Sequence, residues 1–425
     1  MSRRLLQPMP EAITRSQREA SNPRGSVWVT ANAGSGKTYV LTARVLRLLL
    51  SGTRPEEILC PTYTKAAAAE MRGRVAERLA RWALMDDAAL RDDLAQLEGE
   101  APTAGMLLRA RSLFAHALET PGGLKIQTIH AFCEAVLHRF PKEAGVPFDF
   151  TVIEDFERDA MLMEAREKVL AAGLRGSGEA LAVETLFGLL SDFQISTAII
   201  ETLNQQRVLR KVLADVPRAK RELRKLAGDP PGIDAVLHDM ARGYTLTAAD
   251  HRAIFELVRP DPECDGFVDK LAWIEPGHPD LDALYDAYLT QTFTARKTLL
   301  KKATAVLIPD IAQKVANEAL RLELMHNDRM RAELVERSEA MLDIIAAISS
   351  HYERNKRARS LLDFDDLVEK LGTLLDNENQ GIWVRYKLDQ RISHILVDEG
   401  QDTNPQQWAV ITSLIAEFFY GESAA

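Results

Sequence analysis

The stretch that decides the fold is Ala31-Asn32-Ala33-Gly34-Ser35-Gly36-Lys37-Thr38. It follows the apolar run Val27-Trp28-Val29, which predicts a buried strand, and it precedes a segment whose apolar residues recur at helical spacing. Strand, glycine-rich turn and helix are the order that a phosphate-binding loop requires. The stretch therefore predicts a loop whose backbone amides bind phosphate groups at the start of a helix.

Each predicted role within this loop follows from the chemistry of its residue. Gly34 and Gly36 allow the backbone to curl so that its N–H groups point at phosphate oxygens. Lys37 can reach the β- and γ-phosphates of a nucleotide, and the Thr38 hydroxyl can hold Mg²⁺. The usual pattern is G-x-x-x-x-G-K-[ST], and Ala31 stands where that pattern has its first glycine. The alternative, a glycine-rich loop without a ligand, is disfavoured by the flanking strand and helix.

The second half of the predicted site lies near the end of the sequence. An apolar strand is predicted at His394-Ile395-Leu396-Val397, and it leads directly into Asp398 and Glu399. In a nucleotide hydrolase, an aspartate in this position orients the Mg²⁺ shell, and the adjacent glutamate polarises the attacking water. The loop and this strand together are more specific than either is alone. The alternative is a buried strand that happens to end in an acidic turn.

Composition limits the other interpretations. The chain has 425 residues, of which 46% are hydrophobic, and a formal net charge of −9. The length predicts about two to three domains. The charge argues against coating of nucleic acid by the whole surface, but it leaves room for a local basic channel. Three isolated cysteines fit neither a zinc site nor a disulfide framework. Because no signal peptide or membrane-spanning run is apparent, we expect a cytoplasmic protein with no membrane partner.

The sequence between the two halves is mainly helical. Further strands are predicted at Glu57–Cys60 and Leu124–Ile129, each followed by a helix, and a short strand-like run lies at Phe148–Ile153. From about residue 156 to about residue 350 the pattern is helical almost throughout, and no strand–helix alternation appears. We therefore predict an α/β fold that is interrupted by a large α-helical insertion.

Two strand ends carry side chains that could contact a ligand. Tyr63 follows the second strand, where its ring could stack on a base while neighbouring hydroxyls hold a phosphodiester backbone. The alternative buries Tyr63 under the helix that follows. After the third strand, His130 and Cys133 have a spacing that would suit a metal, but no further ligands stand nearby in the sequence.

Two charged clusters are open to more than one interpretation. The segment Arg207–Lys225 contains eight basic residues and two acidic ones, so it could lie on duplex phosphates. Pro217 should break or kink this segment, and a solvated helical surface is an equal alternative. The acidic run Asp363-Phe364-Asp365-Asp366 could hold a metal, but the start of a helix is the simpler interpretation.

With these residues in view, the chain resembles superfamily 1 helicases of the UvrD/RecB type. Thr62–Met71 is similar to the family motif T-F-T-x-K-A-A-x-E-M, and Gln127–Phe132 is similar to T-[IF]-H-x-[FL]. Asp398–Asp402 is similar to D-E-x-Q-D, with Gly400 where Phe or Ala is common, so we expect a looser turn there. Asp363–Leu367 is similar to a segment just upstream of that motif.

Within this family the chain is most similar to the AddA branch, the helicase-nuclease subunits of bacterial double-strand-break repair complexes. The resemblance implies a RecA-like P-loop NTPase domain formed by residues 1–150 and 358–425, with residues 151–357 as a 1B-like helical insertion. It implies an ATP-dependent 3′→5′ DNA helicase that feeds an exonuclease in recombinational repair. AddA chains continue into a second RecA-like domain and a nuclease domain, so we expect an N-terminal part of a longer protein, weakly active alone.

The resemblance also implies cofactors, partners and residue roles. The cofactors are ATP and Mg²⁺, and the partners are single- and double-stranded DNA and an AddB-like subunit. Lys37 and Glu399 would be catalytic, while Thr38 and Asp398 would hold Mg²⁺. The nucleotide would be bound by Gln17, Ala31, Asn32, Ala33, Gly34, Ser35, Gly36, Lys37, Thr38 and Gln401. DNA would be contacted by Tyr63, Thr64, Thr128, His130 and Phe132. A solitary UvrD/Rep-type helicase and a non-catalytic DNA-binding module are the alternatives.

Overall fold

In a computed structural model, the chain is described over residues 11–30, 32, 36–120, 123–258, 266–389 and 392–420. It divides into two compact units. The first unit comprises the sequence up to Arg158 and the sequence from Lys356 onward, and the second runs from Asp159 to Asn355. The first unit is therefore built from two stretches that are far apart in sequence.

The first stretch contains seven helices and three strands among the described residues. In chain order they are α1 (Glu11–Ala20), α2 (Lys37–Ser51), β1 (Ile58–Thr62), α3 (Lys65–Leu84), α4 (Asp87–Glu98), α5 (Ala104–Glu119), β2 (Lys125–Thr128), α6 (Ile129–Arg139), α7 (Pro141–Ala144) and β3 (Thr151–Val152). A single 3₁₀ turn at Pro55–Glu57 precedes β1. The helix α3 begins at Lys65, which four alanines follow; alanine has the highest helix propensity, and the Thr64 hydroxyl caps the helix.

The remaining elements are almost all helices. They are α8 (Asp155–Leu174), α9 (Ala180–Leu189), α10 (Asp192–Asn204), α11 (Gln206–Leu213), α12 (Val216–Leu226), α13 (Ile233–Arg242), α14 (Ala248–Val258), α15 (Gly266–Leu271), α16 (Leu281–Tyr288), α17 (Lys302–Leu307), α18 (Pro309–Ala358), β4 (Leu361–Leu362), α19 (Phe364–Asp376), α20 (Gln380–Asp389), β5 (His394–Ile395) and α21 (Pro405–Tyr420). Only an isolated antiparallel bridge, Leu289 with Ala295, adds β-structure to the described part of the second unit.

A parallel sheet of three strands lies at the centre of the first unit, in the order β2-β1-β5. Cys60 is opposite Ile126, and Leu59 is opposite both Lys125 and Ile395. Because β5 and β1 are about 335 residues apart in sequence, this pairing joins the two stretches of the unit. A second, two-stranded parallel sheet pairs β3 with β4.

Helices cover both faces of the central sheet, as a parallel sheet requires. Successive residues of β1 point to opposite faces. Ile58 and Cys60 lie in a core cluster with α2, α3, α4 and α5, whereas Leu59 lies in a cluster with α6, α19, α20 and α21. Every residue of β1 is buried. The observed architecture is therefore a helix-rich α/β unit with a parallel sheet, as predicted at this level of detail.

The second unit has its own apolar core. Met240, Ile254, Leu271 and Tyr288 are buried there with residues from the first half of α18. Among the described helices no single one is long and apolar enough to cross a membrane, although the bent pair α9 and α10 passes that test together. Among the described residues, this core cluster contains none from the three-stranded sheet of the first unit.

One predicted strand is wrong. Val27, Trp28 and Val29 are 48%, 79% and 43% exposed, and no ladder hydrogen bonds involve them among the described residues. Three apolar residues do not form a strand unless a neighbouring strand accepts their hydrogen bonds, and β1 is flanked by β2 and β5 instead. The chain that leads into Val27 is held by Arg44, whose guanidinium donates to the carbonyl oxygens of Asn22 and Gly25.

Candidate nucleotide site and strand-end recess

The start of α2 is the described part of the predicted phosphate loop. Ala31, Ala33, Gly34 and Ser35 lie outside the described residues, whereas Asn32 and the segment from Gly36 onward are described. Gly36 has φ +88°, the left-handed conformation that favours glycine, and α2 begins at the next residue, Lys37.

The predicted adenine-reading residue also lies at this helix start. A Cβ atom added to Gly36 would stand only 2.8 Å from Gln17 Nε2. The glycine therefore allows the α1 glutamine to approach the helix N-terminus closely. This places Gln17 beside the loop, as its predicted role requires, while the role itself stays a prediction.

The acidic turn directly follows the sheet. The Asp398 N–H donates to the Pro61 carbonyl over 3.2 Å, which continues the pairing of β5 with β1. The Asp398 side chain is buried, and burial, with the nearby Glu399 charge, raises the pKa of its carboxyl. Glu399 has φ +50°, and its N–H donates to Asp398 Oδ1 over 3.0 Å. Two carboxyl groups are thus held side by side at the end of a strand.

The loop lysine and the acidic turn lie next to each other. Lys37 Nζ is 3.8 Å from Glu399 Oε2, and the two side chains are 30% and 39% exposed. An ion pair this exposed contributes little to stability, so it can open for a ligand. The Gln401 amide also donates to Glu399 Oε2. Residues more than 360 positions apart thus form one site.

The residues present fit a nucleotide with Mg²⁺. Thr38 provides a hydroxyl in the first turn of α2, and Asp398 provides a carboxylate, and these hard oxygen ligands suit Mg²⁺. Burial first, and then the charge of Glu399, raise the pKa of Asp398, and a divalent cation would offset both effects. Within the described ranges no three His, Cys, Asp or Glu side chains form a metal cluster of their own. Mg²⁺ would therefore take its other ligands from phosphates and water, as it usually does.

A small recess lies where the parallel strands end. Its lining comes from the ends of β1 and β5 and the starts of α6 and α21, and consists of Pro61, Thr62, Tyr63, Ile129, His130, Val397, Asp398, Thr403 and Gln407. Ligands commonly bind at this edge of an open α/β sheet. Tyr63 is 55% exposed at its rim. The alternative that buried Tyr63 under α3 is therefore wrong, and its stacking on a base stays a prediction.

The comparisons with known proteins agree with this arrangement. The chain matches the UvrD/REP helicase N-terminal domain over residues 13–419. It belongs to that family. The resemblance that the sequence motifs indicated is therefore confirmed.

Relatives with related names match almost the whole chain. An ATP-dependent helicase/nuclease subunit of the AddA type from Lysinibacillus sphaericus (strain C3-41) is 26% identical over 90% of this chain and 32% of its own length. Its counterpart of the same name from Levilactobacillus brevis is 26% identical over 95% of this chain and 33% of its own length. The RecBCD enzyme subunit RecB of Escherichia coli (strain K12) is 26% identical over 91% of this chain and 32% of its own length. The chain thus spans about a third of these relatives.

Two of the DNA contacts carried over from this family do not fit the structure. Phe132 is only 5% exposed and lies in the core cluster beneath α19, because it faces the sheet from the first turn of α6. Thr128 is 8% exposed, and its hydroxyl accepts from the Ala131 N–H to cap α6. Both side chains serve the fold, so neither presents a surface to DNA. Thr64 is exposed, although its hydroxyl caps α3 by accepting from Ala67.

His130 differs from these two because it lines the recess. Its ring stands edge-on to Phe364, with centroids 5.2 Å apart, and its Nε2 is 3.5 Å from Gln407 Nε2. Burial lowers its pKa, and the charges of Asp365 and Asp155 oppose that shift only in part. Burial therefore favours the neutral form of the imidazole. Burial raises the pKa of Cys133 to about 12, so its thiol is a poor metal ligand, and the metal interpretation is not supported.

The acidic run at 363–366 is the start of a helix, as predicted. The Asp363 carboxylate accepts from the Asp366 N–H over 2.9 Å, and the Asp366 carboxylate accepts from the Asp363 N–H over 3.0 Å. The sequence interpretation missed the basic partner. Lys356 Nζ lies 2.9 Å from Asp363 Oδ2 and 2.6 Å from Asp366 Oδ2, and all three residues are buried. A lysine seven residues before an acidic run was the available signal.

The basic segment Arg207–Lys225 forms α11 and α12, and the predicted break lies between them, where Asp215 caps α12 and Pro217 stands in its first turn. The helix α18 supplies acidic partners to this segment. Lys220 Nζ lies 2.6 Å from an Asp343 carboxylate oxygen, and Arg224 makes two bonds of 2.6 and 2.8 Å to Glu339. Two of the eight basic side chains are thus paired with α18 inside the second unit, which favours a structural role for Lys220 and Arg224 over a duplex contact.

Proposed function

We propose that this chain is the N-terminal ATP-binding motor region of an ATP-dependent DNA helicase, whose parent is a 3′→5′ helicase-nuclease subunit in double-strand-break repair. Its first unit would be a RecA-like domain, and the helical second unit would be a 1B-like insertion. Membership of the UvrD/REP helicase family supports the motor, and the relatives named as helicase/nuclease subunits support the class of parent. ATP and Mg²⁺ would be its cofactors.

The observation that carries this proposal is the meeting of Lys37 and Glu399 at 3.8 Å, beside the buried carboxyl of Asp398. A lysine at the start of a helix, an aspartate and a glutamate at the end of a neighbouring strand are the groups that nucleotide hydrolysis needs. In the absence of a nucleotide, the lysine neutralises the glutamate. A γ-phosphate would compete for the lysine and release the glutamate.

The residues then have separable roles. The Lys37 ammonium would bind phosphate oxygens, and Thr38 with Asp398 would orient Mg²⁺. When bound, Mg²⁺ neutralises charge that develops on the transferred phosphoryl group. The Glu399 carboxylate would accept a proton from the attacking water, for which it must be ionised and free of Lys37. Gln401, which donates to the same carboxylate oxygen, would keep it oriented.

DNA would be contacted at the strand-end recess. Tyr63 offers an exposed ring on which any base can stack, as a motor without sequence preference requires. The recess also contains His130 and reaches Asp398, so the proposed DNA and nucleotide contacts lie at neighbouring strand ends. A DNA-binding module without catalysis would not need the lysine and the glutamate in contact.

The parent would act with a partner protein. The relatives are named as subunits of an ATP-dependent helicase/nuclease and of the RecBCD enzyme. The chain is 26% identical to both kinds of relative, so identity does not distinguish between their partners. The proposal of an AddB-like partner therefore rests on the sequence motifs in α3 and α6. A solitary UvrD/Rep-type helicase finds less support, because these relatives carry subunit names. A cytoplasmic location stays a prediction.

The test compares two substitutions in the 425-residue chain. Lys37→Ala should abolish binding of Mg·ATP, whereas Glu399→Gln should keep binding and lower turnover by about 10²–10⁴-fold, because it removes only the base. Calorimetric titration would measure binding, and phosphate release with single-stranded DNA would measure turnover. Lys168→Ala, at an exposed lysine of α8, is the matched control. Loss of binding in Glu399→Gln as complete as in Lys37→Ala would contradict the assigned roles.

A further inference from the structure

Trp408 lies over the turn that carries the proposed base. It stands in the first turn of α21, and its indole Nε1–H donates to the Gly400 carbonyl over 3.2 Å. A Cβ atom added to Gly400 would lie 3.3 Å from Trp408 Cζ2, which is closer than ordinary contact. The ring therefore occupies space that a side chain at position 400 would need. This contact with Trp408 opposes the looser turn that the sequence predicts at Gly400.

The same indole also contacts the chain that enters the phosphate loop. The Trp28 and Trp408 rings are stacked, with centroids 6.5 Å apart and an angle of 27° between their planes. Trp28 is otherwise 79% exposed, and Ala31 follows three residues later. Trp408 thus contacts both segments that contribute to the nucleotide site.

The turn needs support because its backbone is unusual. Glu399 has φ +50°, a left-handed conformation that is unfavourable for a residue with a Cβ atom. Such conformations persist only where the surroundings enforce them. Within the turn, the Asp402 N–H donates to the Glu399 carbonyl over 2.9 Å, and the Thr403 N–H donates to the Gly400 carbonyl over 3.4 Å. The Trp408 indole adds a hydrogen bond from outside the turn, to the Gly400 carbonyl.

We propose that Trp408 is a positioning residue that holds the turn of residues 398–402, and thereby the Glu399 carboxylate, in the geometry needed for hydrolysis. Gly400 contributes to this arrangement, because a Cβ atom at this position would force the Trp408 ring to shift by a few tenths of an ångström. Since Trp408 contacts the backbone of Gly400 and no reacting group, it acts through Glu399. The expected effect of Trp408 on turnover rests on the proposed function, whereas its expected effect on the backbone of residues 398–402 does not.

Three variants separate the contacts. Trp408→Phe keeps a ring and removes the indole N–H, so kcat should fall about 2- to 10-fold, which is the range for one hydrogen bond. Trp408→Ala removes both contacts, and a misplaced catalytic group can cost about 10²-fold in kcat. Gly400→Ala should displace the ring and lower kcat to an intermediate value. KM for ATP and the Kd for Mg·ADP should stay within about twofold in all three. Trp273→Ala, at an 82% exposed indole of the second unit, is the matched control.

A second measurement does not depend on turnover. Hydrogen exchange in the ligand-free chain should accelerate in a peptide covering residues 398–404 of Trp408→Ala, while β1 exchanges as in the wild type. Wild-type kcat and exchange in both Trp408 variants would overturn the proposal. So would accelerated exchange throughout the chain, since Trp408 would then support the fold as a whole. If the wild-type 425-residue chain hydrolyses ATP too slowly to measure, binding of Mg·ATP tests the proposed function, and the exchange at 398–404 alone decides the role of Trp408.

Discussion

The buried ion triad at the junction of α18 and α19 allows a quantitative prediction. Lys356 Nζ lies between Asp363 and Asp366, and the three side chains are 2%, 8% and 8% exposed. Burial alone would lower the pKa of Lys356, but the two carboxylates outweigh it and raise that pKa. The triad also fixes the start of α19, where Phe364 contacts His130. We therefore consider the substitution Lys356→Met.

The expected cost follows from what the substitution leaves behind. Methionine retains most of the volume of lysine, so little cavity forms. Asp363 and Asp366 remain buried without a cation, and removal of one member of a buried charge cluster costs about 3–5 kcal/mol. We expect a loss of that size in the free energy of unfolding at pH 8. Replacing both aspartates by asparagine in the same background should recover much of it, because the repulsion disappears.

The cost should also depend on pH, with a sign that can be worked out. Without Lys356, two adjacent buried carboxylates favour the protonated form, so the pKa of this pair rises in the folded variant. The folded variant then binds more protons than the unfolded one, and its stability increases as pH falls. In the wild type the pKa of Lys356 is raised, so its contribution to the free energy of unfolding is fully present at any pH below the pKa that lysine has in the unfolded chain. The difference between the two proteins should therefore narrow from pH 8 to pH 5.

Urea unfolding followed by circular dichroism measures the loss, and hydrogen exchange in α19 shows that it arises locally. Lys168→Met is the matched control, because Lys168 and Glu164 are 52% and 43% exposed and such a pair contributes about 0.3–0.5 kcal/mol. A cost for Lys356→Met below about 1 kcal/mol, or one that is equal at both pH values, would refute the reasoning.

Three further predictions concern the site and the insertion. Tyr63→Ala should weaken single-stranded oligonucleotide binding by about 1–3 kcal/mol and leave the melting temperature nearly unchanged, whereas unchanged anisotropy titrations would exclude stacking. Asp398→Asn should raise the melting temperature without Mg²⁺ at pH 7, because the burial of a charged carboxylate and its repulsion from Glu399 are both removed, and this gain should vanish toward pH 4. A melting temperature equal to wild type at pH 7 would contradict it. Replacing Lys220 and Arg224 by alanine should leave the salt dependence of duplex binding unchanged. If the slope of log K against log[salt] became shallower by about 2, the two side chains would contact duplex phosphates after all.

The local signals in the sequence predicted the elements well. The helix start at Asp363 was predictable because capping depends on residues three positions apart. The break at Pro217 was predictable because proline cannot continue a helix that precedes it. The meeting of Lys37 with Glu399 was predictable because the loop and the acidic turn are the two halves that nucleotide hydrolysis needs, although the strand expected before the loop does not form.

Burial was harder to predict than secondary structure. A motif gives the order of Thr128, His130 and Phe132 but not which side of α6 faces the sheet. Of these three residues, only His130 lines the recess in the structure. Phe132 is two residues further along the helix, so its side chain points to the opposite side of α6 and into the core. The strand predicted at Val27–Val29 does not form for a related reason. Apolar residues favour a buried strand, but the strand also needs a neighbouring strand to accept its backbone hydrogen bonds, and none of the described strands pairs with it here.

The role of α21 shows why the acidic motif could not be interpreted from its own residues. Asn404 and Gln407 cap this helix reciprocally, with bonds of 3.1 and 2.9 Å between each side-chain oxygen and the other backbone N–H. Gln407 is buried and reaches His130 in the recess, while the next residue, Trp408, contacts Gly400 in the turn. Neighbouring side chains of one helical turn therefore contact the proposed DNA surface and the proposed catalytic turn. Any displacement of the start of α21 must change both contacts, because the reciprocal cap fixes the two residues on the same rigid turn.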